Sequence, residues 1–225
     1  MAKRRKAEEE SEGRNWTEAE LVLQFNLKRI ATYQTDLMKE WLDVENPVLN
    51  SFEQGLLDMI YLKGVENMST WGEEDLKMKF ITYVLDLGYL KTDENGIIGY
   101  FDKLISAKVE GIMLKVKSDF MLAKGYLNLY KNPYFHFQEY KPNLKPTGEP
   151  MAQLIEAFLI GQEKNEKPIP LYGVEIVGET WTFVIMDGKE YCVSPTYIST
   201  KKDDLLKIIA ILRKFKHILF TRLID

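Results

Sequence analysis

An aspartate inside an apolar strand constrains this chain more than any other feature. Asp119 lies in the stretch 112–123, next to Phe120-Met121-Leu122-Ala123. Aspartate is a poor strand former, and burying one unpaired is costly. The fold must therefore bring it a partner, such as a cation. Twenty residues on, the aromatic-rich run 134–141 (YFHFQEYK) reads as a short strand stopped by Pro142. A side-chain period of two puts Phe135, Phe137, Glu139 and Lys141 on one face. That apolar face ends in a carboxylate beside an ammonium, an arrangement that a plain ion pair at a strand end would also satisfy. His136 falls on the opposite face, where a structural role is the simpler assignment. The loop 142–150 then leads to a helix over 152–162. Ala152, Ile155, Phe158 and Leu159 of that helix face the core, and Gln153 and Glu156 lie on its flank.

The surrounding sequence supplies the scaffold. Residues 1–15 are charged and nearly free of large apolar groups, which predicts a disordered tail. Thr17 and Glu20 have the spacing of a capping box, with Trp16 and Leu21 placed for a hydrophobic staple. Helices are expected over 36–42 and over 51–62, the second ending at Gly64, so that 16–65 reads as a helical extension. The segment 72–88 (GEEDLKMKFITYVLDLG) is a helix with acidic residues in its first turn and Gly88 after its end. Its apolar face runs Leu76, Phe80, Val84, Leu87, and Glu73 falls in the middle of that face. Strands are expected over 97–101 and 106–109, and a β meander over 171–177, 181–186 and 190–193, where Pro195 should end it. Asp187-Gly188 carries a hairpin signal. The stretch 203–219 is a final amphipathic helix. Packing on the core is its simplest use, and a homodimer contact is the alternative.

Composition sets outer limits. A chain of 225 residues can bury a sizeable core. One cysteine, Cys192, excludes an internal disulfide and a cysteine-rich zinc site; the two histidines, His136 and His217, are too far apart for a histidine cage. No apolar run approaches a membrane span, no apolar signal region follows the basic N-terminus, and a cytoplasmic setting is the simplest expectation. The net charge of −4 gives no global basic field. Locally the balance differs. Between Lys108 and Lys145 seven lysines (108, 115, 117, 124, 131, 141, 145) stand against Glu110, Asp119 and Glu139, a balance of +4. Tyr126, Tyr130, Tyr134 and Tyr140 interleave with them, a pattern that suits phosphate contacts. Lysines on the solvent face of a sheet would give the same count.

Asp119, Glu139-Tyr140-Lys141, Glu73 and Gln153 together resemble the PD-(D/E)XK nuclease superfamily, in particular compact bacterial members related to the N-terminal nuclease region of type I restriction subunits. The resemblance covers roughly residues 66–200. The family order is a helix with a glutamate, a strand with an aspartate, a strand ending in Glu-x-Lys, and a helix with a glutamine. The segment PLYGVEIVGETWTF, from Pro170 to Phe183, is similar to the strand pair that follows the catalytic helix in such proteins. Ser118 stands where the family name calls for proline.

The resemblance implies an α/β (α+β) fold, a restriction-endonuclease-like mixed central sheet flanked by helices, with 16–65 as an N-terminal extension and 201–225 as a C-terminal helix packed on the core. It also implies a Mg²⁺ (or Mn²⁺) ion held by Asp119, Glu139 and the backbone carbonyl of Tyr140, hard oxygen donors suited to that ion, with Glu73 completing the site or holding a second ion. Lys141 would hold the scissile phosphate or a water, and Gln153 would orient water or touch the backbone. The implied activity is phosphodiester hydrolysis in nucleic acid, with DNA the first expectation. Two alternatives stand beside it. One is a catalytically silent module of the same fold that binds nucleic acid or a protein; the other is a purely structural ion network.

Overall fold

The computed structural model describes residues 15–31, 34–143 and 149–224. The tail expected over 1–15 falls outside these residues, except for Asn15. So does Lys145.

The expected mixed sheet flanked by helices is present. Among the described residues seven strands form one sheet, in the order β1-β7-β6-β5-β4-β3-β2. These are β1 (Lys28–Ile30), β2 (Ile97–Val109), β3 (Ile112–Tyr126), β4 (Leu129–Lys141), β5 (Leu171–Val177), β6 (Thr180–Asp187) and β7 (Glu190–Ile198). The pairs β4–β5 and β1–β7 are parallel, and the others antiparallel. Antiparallel neighbours are joined by short turns, but a parallel pair needs a crossover. Helix α5 (Pro150–Lys164) provides the one between β4 and β5.

Each face of the sheet buries its own apolar cluster. One face is covered by α1 (Glu18–Phe25) and α5, through Leu21, Phe25, Leu154, Ile155 and Phe158. The other is covered by α2 (Asp36–Leu42), α3 (Ser51–Asn67), α4 (residues 73–87) and α6 (Lys202–Ile218). Trp41 of α2 is fully buried there, edge-on to Tyr172 and Phe183, and its indole N–H donates to the Ile211 carbonyl at 2.9 Å. A buried indole finds a hydrogen-bond partner in this way.

Several boundaries differ from the sequence expectation, each for a local reason. The N-terminal stretch is not all helical, since β1 adds an edge strand to β7. Helix α3 runs past Gly64 because that glycine faces inward: a Cβ there would stand 3.0 Å from the Phe80 ring. Strand β7 continues through Pro195, which sits beside a register shift between Thr182 and Val184 of β6. The Ser194 hydroxyl takes up the Phe183 N–H at 2.9 Å, so no ladder donor is missed there. The 97–101 and 106–109 strands are one, β2, and β4 begins at Leu129, so the loop before it is shorter than Lys124-Gly125 suggested. After Ile218 the last helix continues as a π turn over Leu219–Leu223.

Candidate active site

The site grows out of an interruption in the β2–β3 hairpin. The ladder pairs Phe101 with Phe120 and Lys103 with Ser118, and skips Asp102 and Asp119 between them. Asp102 has a φ of 54°, in the left-handed region that aspartate tolerates better than most residues. The phase of both strands inverts at this point. In β2, Tyr100 and Ile105 lie on the same face, and in β3 so do Val116 and Met121, although strict alternation would oppose them. The two aspartates are thereby released from the ladder and free to turn toward other groups.

The sheet forks at the same level. β3 and β4 pair from Tyr126–Leu129 up to Phe120–Gln138 and then part; Glu139, Tyr140 and Lys141 pair only with Glu175, Ile176 and Val177 of β5. Parting leaves edge groups that need partners. The Tyr140 N–H, no longer facing a strand, donates to Asp119 Oδ2 at 2.8 Å. The Lys115 N–H on the opened edge of β3 donates to Glu156 Oε1 of α5 at 2.9 Å. The Ser118 hydroxyl donates to the Phe120 carbonyl at 2.9 Å.

Four of the residues expected in the site come together in the fork. Asp119, Glu139 and Lys141 are all buried. Lys141 Nζ lies 2.8 Å from Glu139 Oε1 and 3.8 Å from Glu73 Oε2, so half-buried Glu73 at the start of α4 reaches the site through the lysine. Burial, together with the neighbouring Asp119 charge, pushes the Glu139 carboxyl up to about 8 against the pull of Lys141. Burial works against the Lys141 ammonium, but Glu139, Glu73 and Asp119 hold it above the usual lysine range. The Tyr140 side chain points to the opposite face and is fully buried. Its phenol is raised well above the usual value, first by burial and then by Asp119 and Glu139. Gln153, on the first turn of α5, forms no hydrogen bond with these groups, and its buried Oε1 has no hydrogen-bond partner.

Lys77 and Asp102 join the same cluster, and the sequence reading missed both. Helix α4 is α-helical over Glu73–Leu76, opens into a π turn over Lys77–Ile81, and closes again over Thr82–Leu87. The widened turn brings Lys77, Ile81 and Leu85 inward beside Leu76, Phe80 and Val84. Lys77 is only 4% exposed. Its Nζ lies 3.0 Å from Asp102 Oδ1, 3.4 Å from Asp119 Oδ1 and 3.7 Å from Glu74 Oε1. Burial opposes its charge, but these carboxylates outweigh that and hold it above the usual lysine range. A signal was present in the sequence: Ile81 and Leu85 stand four and eight residues after Lys77, on one helical line with it.

Among the described residues no three Asp, Glu, His or Cys side chains converge as a ready metal cage. A divalent ion here would draw on Asp119, Glu139 and the Tyr140 carbonyl, with water filling the remaining positions, which is how Mg²⁺ is ordinarily held. The donor chemistry fits: these are hard oxygens, the Asp119 charge acts on Glu139, and buried Glu139 carries surplus proton affinity that a cation would relieve.

No protein-family model matches the chain, and no curated protein matches it. One solved structure, a cryoEM DrdV–DNA complex, aligns over 71% of this chain and 96% of its own chain, at 12% identity and a TM-score of 0.38. A likeness that low transfers neither mechanism nor substrate. No helix among the described residues is long and apolar enough to cross a membrane.

Proposed function

We propose that the fork is a metal-dependent phosphodiester-cleaving site acting on nucleic acid, with DNA the first candidate substrate. The observation that carries this is the convergence of Asp119 and Glu139, both buried, with the Lys141 ammonium 2.8 Å from Glu139, where two strands part. A buried carboxyl whose proton affinity is raised by burial and by a neighbouring carboxylate is a functional-site signature on physical grounds. A bound Mg²⁺ or Mn²⁺ would supply a water of lowered pKa and relief of charge on the phosphoryl oxygens. Asp119 is aimed by the Tyr140 N–H and by Lys77. Lys141 holds the scissile phosphate by charge, and Glu73 fixes where that ammonium points. Gln153, with an unused acceptor, is placed to take a hydrogen bond from water. The outward face of the β2–β3 arm adds exposed Lys108, Lys115 and Lys117 next to the fork, which fits contacts to a phosphate backbone.

A second reading has one specific observation in its favour. Asp119 is already bridged by Lys77, so the chain can neutralise that carboxylate without a metal. A silent module that binds nucleic acid would look the same. Plasmid, linear and single-stranded DNA incubated with the protein, with Mg²⁺, Mn²⁺ or chelator, separates the two. The first reading expects metal-dependent cleavage that falls at least about 100-fold in Lys141→Ala. Binding without cleavage under every condition supports the silent module instead. Neither binding nor cleavage, in a protein that Asp119→Ala unfolds, leaves the ion network as structural.

A further inference from the structure

A second cationic feature lies at the opposite end of β4. A cavity of about 480 Å³ is lined there by Lys124, Lys131, Lys167 and Arg222, with Glu166 as the single acid among its lining residues. Lys131 is ten residues before Lys141 on the same strand, which at about 3.3 Å per residue separates cavity and fork by roughly 30 Å. The cavity is therefore not an extension of the proposed active site.

Lys124 and Lys131 are direct cross-strand partners in the β3–β4 ladder. Like charges directly opposite one another destabilise a sheet, and a chain gains nothing from such a pair unless something anionic joins it. Among the described residues neither lysine has an acidic partner. Arg222, on the closing π turn, is held by Glu40 at 2.8 Å. Glu166 takes a hydrogen bond from Asn132 Nδ2 at 3.4 Å. The apolar part of the lining comes from partly exposed Pro133, Ile169, Leu223 and Ile224. A half-open volume of this size, with cations and apolar groups side by side in its lining, matches small-ligand sites in general. Its two halves suit a molecule with a phosphate at one end and a flat, weakly polar group at the other.

We propose that this cavity binds a nucleoside phosphate, with Lys124 and Lys131 gripping the phosphates and the apolar wall taking the base. The confined volume favours a small molecule over a polymer strand, which would need a longer track. The assignment does not depend on the fork being catalytic.

Isothermal titration of the full chain with ATP, ADP, inorganic phosphate and adenosine tests it, alongside the exposed double variant Lys124→Ser/Lys131→Ser and the single Lys131→Glu. The expected result is saturable binding of ATP or ADP, weaker binding of phosphate or adenosine alone, and at least a tenfold loss of affinity in both variants. Their melting temperatures without nucleotide should match or exceed the parent's, because both positions are solvent-exposed and each change relieves the repulsion between the two lysines. Absence of nucleotide binding up to millimolar concentration overturns the proposal. So does binding that both variants retain in full, or binding confined to oligonucleotides.

Discussion

The two faces of β4 solve the burial of polar groups in opposite ways. On one face Glu139 and Lys141 are tied to each other and, through the ammonium, to Glu73, with burial opposing the charge of Glu139; through the Tyr140 N–H the strand also holds Asp119, and with it Lys77 and Asp102. On the other face His136, Gln138 and Tyr140 form a neutral chain. The Tyr140 hydroxyl donates to Gln138 Oε1 at 2.6 Å, and Gln138 Nε2 meets His136 Nε2 at 2.9 Å. Since Gln138 spends its oxygen on tyrosine, its amide donates to the histidine, and the ring proton sits on Nδ1. That Nδ1 has no partner, and full burial drives the imidazole down to about 3. One residue of register thus separates a set organised around lysine cations from a set kept neutral. The lysine-centred set stands at the fork and meets solvent through the partly exposed side chains of Glu73 and Asp102. The neutral set is sealed against Phe215, whose ring lies 4.7 Å from the imidazole.

The largest effect that can break this contrast is at Lys77. Lys77→Met keeps much of the side-chain volume but leaves Asp102 and Asp119 without their shared cation. Stranding a buried charge costs about 3–5 kcal/mol, so urea denaturation at pH 7.5 should show a loss of that order. Adding Asp119→Asn to Lys77→Met should recover a large part of it. A single-variant loss below about 1 kcal/mol would mean that Lys77 does not hold the aspartates, and the charged side of the comparison would fail.

Glu156 sharpens the contrast, because it is a buried acid whose carboxylate accepts from a backbone N–H, that of Lys115. Burial raises its carboxyl to about 7, only partly opposed by the Lys115 N–H. The folded state therefore retains a proton that the unfolded chain releases at its ordinary value of 4.5. Stability from this group is full below about pH 4.5 and is lost as pH rises through about 7. Glu156→Gln should match the parent near pH 5 and exceed it at pH 8 by on the order of 1–2 kcal/mol. Glu139 is common to both proteins, so its own titration cancels in the difference. Equal stabilities across pH 5–8 would show that Glu156 is solvated or paired with a cation.

How much of this was legible in the sequence follows from what each signal depends on. Thr17 with Glu20, the helix starting at Asp36, the strand 171–177 and the last amphipathic helix were readable because caps and periodicity are local. Asp119 and Glu139-x-Lys141 were readable because polar residues that interrupt apolar runs are conspicuous. Lys77 was harder to read, since 100° spacing sets it to one side of the face led by Leu76, on a line with Ile81 and Leu85 that the π turn brings inward. Asp102 was missed with it: the break after Phe101 read as a gap between two strands, whereas it is a kink within one. Gly64 and Pro195 misled for the same reason. A breaker residue ends an element only when tertiary contacts do not need its small size or its missing donor.

The smallest expected effect lies on the neutral face and tests whether its polar chain contributes to stability. His136→Leu nearly conserves volume against Phe215 and removes an orphaned ring N–H, which relieves a desolvation cost of about 1–3 kcal/mol. It also takes the acceptor from the Gln138 amide and leaves a new orphan of similar cost. The two changes oppose each other, so chemical denaturation at pH 7.5 should place the variant within about 1 kcal/mol of the parent. A loss near that of Lys77→Met would sink the idea that the neutral chain tolerates what the ionic cluster does not. It would point instead to a buried water on Nδ1 that binds imidazole, amide and phenol into one unit, since a fully satisfied network is worth more than the sum of its pairs. A near-zero change would locate the specificity of this strand in its charged face, where Lys77 and Lys141 each answer more than one carboxylate.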